Sequence, residues 1–268
     1  MTPVTSTRHY GRLTAPDINR HLTPRSVLCL PIGAHEQHGP HLPLNTDTVI
    51  AEQFTNQLVD RYGQPHDLWA LPPVPYGLSL EHAWSLGTIS LRITSFTILL
   101  DALIGEYVRA TPARHLLIVN GHGGNRGILE PALYELQRQH GVTTCVIHPT
   151  SLSTTEVDSE VLEIHAGIRE TSMMLALAPD DVHLDRLPAD YNPGAPDPKA
   201  VQRLVRERGT TWPWSSGDHA IATRGITGGD PQAATAVLGR TIIDSALDAA
   251  ADVLDHLTTH RPQQRLEG

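Results

Sequence analysis

The chain has 268 residues, of which 40% are hydrophobic and 18% charged, and a formal net charge of −9 at pH 7. Such a chain is globular and long enough to bury roughly 70–75% of its extended surface, while its acidity argues against nucleic acid, whose partners carry a basic face. No run approaches about 20 apolar residues, so no membrane span is expected. Met1 to Tyr10 is polar, without the apolar core of a secretory signal. Cys29 and Cys145 both lie inside apolar runs, where reduced thiols of a cytoplasmic protein are expected rather than a disulfide.

Residues 1–24 read as a polar arm with a short helix near Pro16 to Arg20. Val27 to Ile32 is a continuous apolar run closed by Gly33, the pattern of a buried parallel strand. The Gly/Pro-rich loop that follows leads to Thr46 or Asp47 as the cap of a helix reaching about Arg61, with Val49, Ile50, Phe54 and Leu58 on one face. Leu68 to Val74 reads as a second strand that Pro72 and Pro73 confine to an edge or cut short. Gly87 to Leu91 is short and β-branched, and Thr94 to Arg109 has helical spacing. His115 to Asn120 is the clearest strand. It runs through Gly121-His122-Gly123-Gly124-Asn125 into a helix to about His140, and a strand follows from Val142 to His148. That unit implies a right-handed parallel crossover. Residues 149–163 read as an irregular acidic loop, a helix opens near Glu170 and stops at Pro179, and residues 188–199 should be exposed. Pro198 to Arg208 and Gln232 to Leu257 complete the helices. No repeat or composition break divides the chain, and the alternation of strands and helices predicts one α/β domain.

Sixteen histidines are the unusual count. His66, His140, His219, His256 and His260 read as surface residues, but three stretches set histidines beside carboxylates and glycines. In the first, residues 35–47, Glu36 and His38 are two apart, so an extended backbone projects both to one side. They stand at the carboxyl end of a strand, where open α/β folds place their sites. Asp47 has two oxygens and so could bridge two cations. Alone, Glu-x-His fits loop caps equally well. In the second stretch, glycines let the backbone approach its neighbours closely, and His122 is presented at the same sheet edge. A phosphate-cradling reading lacks both a Walker lysine and dinucleotide spacing. In the third, Glu170 could be a carboxylate at a helix start and His165 a core histidine. Three such stretches in one chain favour a shared site over three separate accidents. Ser172 lacks the glycines of a nucleophile elbow.

Leu30-Pro31-Ile32-Gly33-Ala34-His35-Glu36-Gln37-His38-Gly39-Pro40-His41 with Thr46-Asp47, then Asn120 to Asn125, then His165-Ala166-Gly167 with Glu170-Thr171-Ser172, resembles the creatininase family in motif and order. The resemblance runs from about residue 25 to 255. It implies a single three-layer α/β domain over 25–258, with a mainly parallel central sheet flanked by helices and a tail at 259–268. It also implies a homohexamer, and a binuclear centre in which Glu36 and His122 bind one metal, His38 the other, and Asp47 bridges. Creatininase supplies a further carboxylate where this chain has Gly124; Glu170 is the candidate replacement ligand. The resemblance further implies that His165 moves a proton, with Glu170 beside it in the catalytic set. Gly225 to Pro231, with Ala234-Thr235, resembles a segment of the mycofactocin-system peptidases, although Asp230 and Pro231 also suit a simple helix cap.

Nitrogen and oxygen donors without thiolate suit two divalent ions per subunit, Zn, Mn or Fe. Such a pair can share a hydroxide that attacks an amide carbon. The expected function is therefore amide hydrolysis, on a short or modified peptide in a biosynthetic pathway. Formamide or cyclic amide hydrolysis and a non-catalytic binding or assembly subunit are the alternatives. Loops 76–86, 150–164 and 211–224 should shape the substrate pocket, with Glu81, His82, Trp84 and Asn125 as candidate contacts and Trp212 and Trp214 as further lining.

Overall fold

In the computed structural model, which describes residues 8–157, 162–193, 196–207 and 209–259, the apolar runs pair side by side. The strands are β1 (Val27–Ile32), β2 (Leu68–Ala70), β3 (His115–Asn120) and β4 (Thr143–Ile147). They form one parallel sheet in the order β2-β1-β3-β4. Ile32 lies opposite Asn120 in the register of β1 and β3, so the two motif loops leave the sheet at the same edge. Cys29 and Cys145 are free thiols, held apart by Leu117 on the intervening strand.

Side chains alternate between two cores, as the strand period of two requires. Val27, Cys29, Leu117 and Val119 face one layer, built from α2 (Thr46–His66), α6 (Ile168–Leu177) and α8 (Ala236–Thr259). Leu28, Leu30, Leu116 and Ile118 face the other, where α3 (Ile93–Ala110) contributes Phe96, Leu100 and Ile104, and α4 (Arg126–His140) contributes Leu129 and Leu136. This is the three-layer α/β domain expected from the motifs. Among the described residues no helix is long and apolar enough to cross a membrane.

Several boundaries differ from those read in the sequence. β2 stops at Ala70, and Val74 returns only as an isolated bridge to Ile32, because a proline cannot donate to the ladder. Gly87 to Leu91 forms isolated bridges to His35 and Gly77 rather than a strand. The loop at 149–163 contains a short helix at Pro149–Leu152, and α6 opens two residues before Glu170. Pro198–Val201 continues as a π-helical turn over Gln202–Arg206. The last helix begins only at Ala236, after a turn at Pro231–Ala233 capped by the Asp230 carboxylate. In the arm, helix Ala15–His21 forms under a Thr14–Asp17 capping box. His219 and His256 are exposed, whereas His66 and His140 are half-buried beside Asp255 and Asp101; His260 lies outside the described residues.

The fold brings α2 unusually close to the sheet. A Cβ on Gly33 would lie 2.4 Å from Thr48 Oγ1, and one on Gly121 would lie 2.1 Å from the Asp47 carbonyl. Only glycine permits this approach. Asp47, in the first turn of α2, is thereby set between the ends of β1 and β3.

Candidate metal centre

The three motif stretches meet at one point. Glu36 and His38, just beyond β1, are fully buried, as are Asp47, His122 and His165 to within 6% exposure. Two triads can each gather ligand atoms around a cation: Glu36, Asp47 and His122 form one, and His38, Asp47 and Glu170 the other. Asp47 belongs to both. Its Oδ1 lies 3.2 Å from His38 Nε2, and its Oδ2 lies 3.1 Å from His122 Nδ1. A third grouping, Glu36, His38 and His165, overlaps them.

The orientation of each imidazole follows from its outer nitrogen. His38 Nδ1 lies 3.1 Å from the Glu36 carbonyl, His122 Nε2 lies 2.6 Å from the Leu78 carbonyl, and His165 Nε2 lies 2.7 Å from the Gln37 carbonyl. A carbonyl only accepts, so each of these nitrogens carries the proton and donates. The inner nitrogens are left to turn their lone pairs into the cluster, the arrangement by which metal-binding histidines are oriented.

Both oxygens of Glu36, His38 Nε2 and Asp47 Oδ2 are buried and have no hydrogen-bond partner. Four convergent unsatisfied atoms, acidic and imidazole, are costly to bury. A divalent cation satisfies them, so the donor set fits the metals that the motif pattern implies. Burial alone would depress His38, but Asp47, Glu170 and Glu36 outweigh it and raise its pKa to about 9. His122 is likewise raised by Glu36 and Asp47 against the effect of burial. Burial pushes Glu170 up to about 7, despite the pull of His38. The carboxylates thus favour positive charge at the centre of the cluster.

His165 differs: burial, reinforced by His82 and His38, holds its pKa well below the ordinary value, leaving it neutral. It stacks on His82 with ring centroids 4.0 Å apart. Around them lies a cavity of about 170 Å³, walled by Glu81, His82, Gly124, Ile164, Glu170 and Trp214, among others.

Of the candidate substrate contacts, Glu81 and His82 face this cavity. Trp84 does not. It is half exposed, donates its indole N–H to Ser216 Oγ and lines a neighbouring groove. Trp214 takes the position edge-on to His82, with ring centroids 5.8 Å apart, and Trp212 is half exposed. Asn125 is fully buried, with its amide bonded to Gly33 O, Leu78 N and Asn120 Oδ1. It ties the second motif to the loop carrying Leu78 and has no face toward a ligand.

Four contributors went unnoticed in the sequence: Gln37, Ser216, the Leu78 carbonyl and His41, whose Nε2 pairs with Thr171 Oγ1. Gln37 had a signal. Lying between two ligands on an extended stretch, it must face the opposite side, and a buried amide there needs partners.

A three-layer α/β fold that gathers buried carboxylates and imidazoles at its strand ends has the donor set of the metal-dependent hydrolases. The match to known proteins is specific. The creatinine amidohydrolase (creatininase) family model covers residues 11–254, and the chain belongs to the creatininase family. It is 37% identical over 233 residues to the mycofactocin precursor peptide peptidase of Mycolicibacterium smegmatis, covering 84% of this chain and 83% of that protein. It is 31% identical over 192 residues to creatinine amidohydrolase of Pseudomonas putida, covering 62% and 72%. Among solved structures, a mutant creatininase of the Zn-Zn type superposes with a TM-score of 0.75 at 26% identity, over 95% of this chain and 100% of that one. The chain is thus an enzyme of a family that hydrolyses carbon–nitrogen bonds.

Proposed function

We propose that the chain is a two-metal amidohydrolase that cleaves an amide bond in a short or modified peptide. The observation that carries this reading is Asp47, whose two oxygens serve two separate buried triads. Glu36 and His122 would complete one cation site, and His38 with Glu170 the other. Divalent cations held there would acidify water and polarise the scissile carbonyl.

The remaining work belongs to the chain. His165, neutral and with Nδ1 facing the cluster, takes a proton from the attacking water and returns it to the leaving nitrogen. The C–N bond breaks to give a carboxylate and an amine. The buried floor of the cavity, formed by Glu36, Asp47, His82, His122 and His165, strengthens each polar contact made there. Similarity to the mycofactocin peptidase favours a peptide substrate. So does the groove of about 940 Å³ that shares Gln37 with the site and Trp84 with its margin. The small size of the inner cavity, about 170 Å³, favours instead a formamide or cyclic amide. A deformylase of Methanobrevibacter ruminantium, 27% identical over 168 residues, is a relative of that kind.

Purified protein should hold two divalent ions per chain by elemental analysis and hydrolyse members of a panel of short peptides, formamides and creatinine. Chelation, Glu36→Ala and Asp47→Ala should each abolish turnover. Hydrolysis by metal-free Asp47→Ala protein would overturn the mechanism, and fewer than one ion per chain would favour a non-catalytic binding subunit.

A further inference from the structure

Gln37 carries no role in the proposed chemistry, yet its side chain is the most connected polar group beside the cavity. Its amide orientation is fixed by backbone groups that cannot be exchanged. Oε1 accepts from Gly39 N–H at 2.9 Å, and Nε2 donates to the Gly225 carbonyl at 3.0 Å. The second proton of the same Nε2 is left to His82 Nδ1 and Ser216 Oγ, each 3.1 Å away. On the other side of that nitrogen, Ser216 Oγ lies at 2.7 Å and already accepts the Trp84 indole N–H at 2.8 Å. Its own proton has His82 Nδ1 as the nearest acceptor, with the Glu81 carbonyl farther away at 3.4 Å. When Gln37 as well as Trp84 donates to Oγ, both lone pairs are filled, so Oγ cannot accept a proton from the ring. Donors converge on Nδ1, so Nδ1 is the acceptor and the ring proton resides on Nε2.

His82 Nε2 faces the cluster, 3.5 Å from Glu36 Oε1. The stacked neighbour is turned the other way. His165 gives its Nε2–H to the Gln37 carbonyl and presents Nδ1 at 3.6 Å from the same Glu36 oxygen. One glutamine thus grips both rings, through its side chain and through its backbone. The two imidazoles share a protonation pattern but show opposite nitrogens to the cavity, one a donor and one an acceptor.

We propose that His82 is a catalytic hydrogen-bond donor to the oxygen of the scissile amide, and that Gln37 is the positioning residue that holds its proton on the cavity side. The inference rests on the amidohydrolase reading and gives it a missing part. In that reaction one group must take a proton from water, and His165 does so. Another must meet the negative charge that grows on the amide oxygen as water adds to the carbon. A neutral ring N–H aimed into a buried cavity is suited to that charge and gives up no proton.

The test combines a spectroscopic and a kinetic readout. In protein labelled with ¹⁵N-histidine, magic-angle-spinning NMR should show His82 protonated at Nε2 and bare at Nδ1, assigned by the signals lost in His82→Phe. Gln37→Glu replaces the donor by an acceptor of the same shape, and should move the proton to Nδ1. With the metal content of each variant measured and unchanged, kcat on the fastest substrate of the panel should fall about 100-fold in both variants, with KM changed by less than about threefold. His82→Gln, which keeps an N–H, should recover part of the loss. A wild-type His82 protonated at Nδ1, or a metal-replete His82→Phe within about threefold of wild-type kcat, overturns the donor role. A Gln37→Glu protein that loses kcat while the His82 proton stays on Nε2 overturns the positioning role. Failure of the amidohydrolase reading is distinct, because it appears in the wild-type protein as absence of hydrolysis.

Discussion

The Glu170 carboxylate stands 3.9 Å from His38 Nε2, although the two residues come from motifs far apart in the chain. It is held there by the Ala166 N–H, which donates to Oε2 at 2.6 Å. Glu170 thereby completes the triad with His38 and Asp47. If it is the ligand of one site only, Glu170→Gln should lower the metal content from two ions to about one and reduce kcat by at least about 100-fold, since the remaining ion lacks its partner. Elemental analysis with steady-state kinetics checks both. Two retained ions at full activity would remove Glu170 from the ligand set.

Packing around Gly124 leaves no room for a side chain at the position where the creatininase pattern has a carboxylate. A Cβ at this position would lie 2.3 Å from the Leu78 carbonyl, 2.4 Å from His122 Nε2 and 2.6 Å from Glu81 Oε1. The Leu78 carbonyl is the group that orients His122, so it cannot retreat without freeing that ligand. Gly124→Ala should cost about 2–4 kcal/mol in denaturant unfolding and weaken metal retention. Gly124→Glu should do worse, rather than restore the carboxylate of creatininase. An unchanged midpoint for Gly124→Ala would refute the packing argument.

The members of the cluster were legible because their signals are local: Glu36, His38, Asp47, His122, His165 and Glu170 all lie in stretches that mix histidine and carboxylate with glycine, proline or small polar residues. The sheet was equally legible, since β1 and β3 are unbroken apolar runs. What escaped was set by contacts between distant segments. Ser216 and the Leu78 carbonyl reach the site through loops without regular spacing. Asn125 and Trp84 read as substrate contacts because they neighbour motif residues, yet neither lines the inner cavity. Their side chains are occupied by backbone amide and hydroxyl partners that no local pattern reveals. The late start of the last helix has a local cause: Asp230 and Pro231 close a separate turn first.

Metal uptake should release protons. His38, with a pKa of about 9, and His122, raised well above the usual value, both carry a proton on the cluster side at pH 7 in metal-free protein. A cation needs those lone pairs and must displace the protons, so affinity should weaken as pH falls. Titration calorimetry with Zn²⁺ in buffers of different ionisation enthalpy should report at least about one proton released per ion at pH 7. A heat independent of the buffer would show that the ligands are already deprotonated.

The loop after β2 leaves apolar side chains in solvent. Leu86 is 96% exposed, Leu80 70%, Trp84 53% and Ile89 49%. Four exposed apolar side chains along one loop suit an interaction surface, and the family resemblance makes a further copy of the chain its expected occupant. Light scattering should give a mass several times 29.2 kDa, with six copies expected. Leu86→Glu should lower it. A wild-type monomer would remove assembly from the picture.

Asp67 offers a pH test of the fold itself, away from the metal centre. It ends α2 with a left-handed φ of 53°, and its carboxylate accepts from Arg8, Ser26 and Trp69. Burial would raise its pKa, but these donors together outweigh burial and lower it below the unfolded value of 3.8. For a depressed carboxylate the stabilisation is complete above the unfolded pKa and is lost as pH falls through the folded one. Asn tolerates the left-handed conformation, so Asp67→Asn removes charge without adding strain. At pH 7 it should lower unfolding free energy by about 1–2 kcal/mol, because the charge-assisted bonds become neutral and one acceptor becomes a donor facing donors. The difference should stay constant from pH 7 down to about 5 and shrink once pH drops below 3.8 toward the folded pKa. Denaturant melts of both proteins across that range measure it. A gap that persists undiminished in acid would show that shape at this position, rather than charge, supplies the stability.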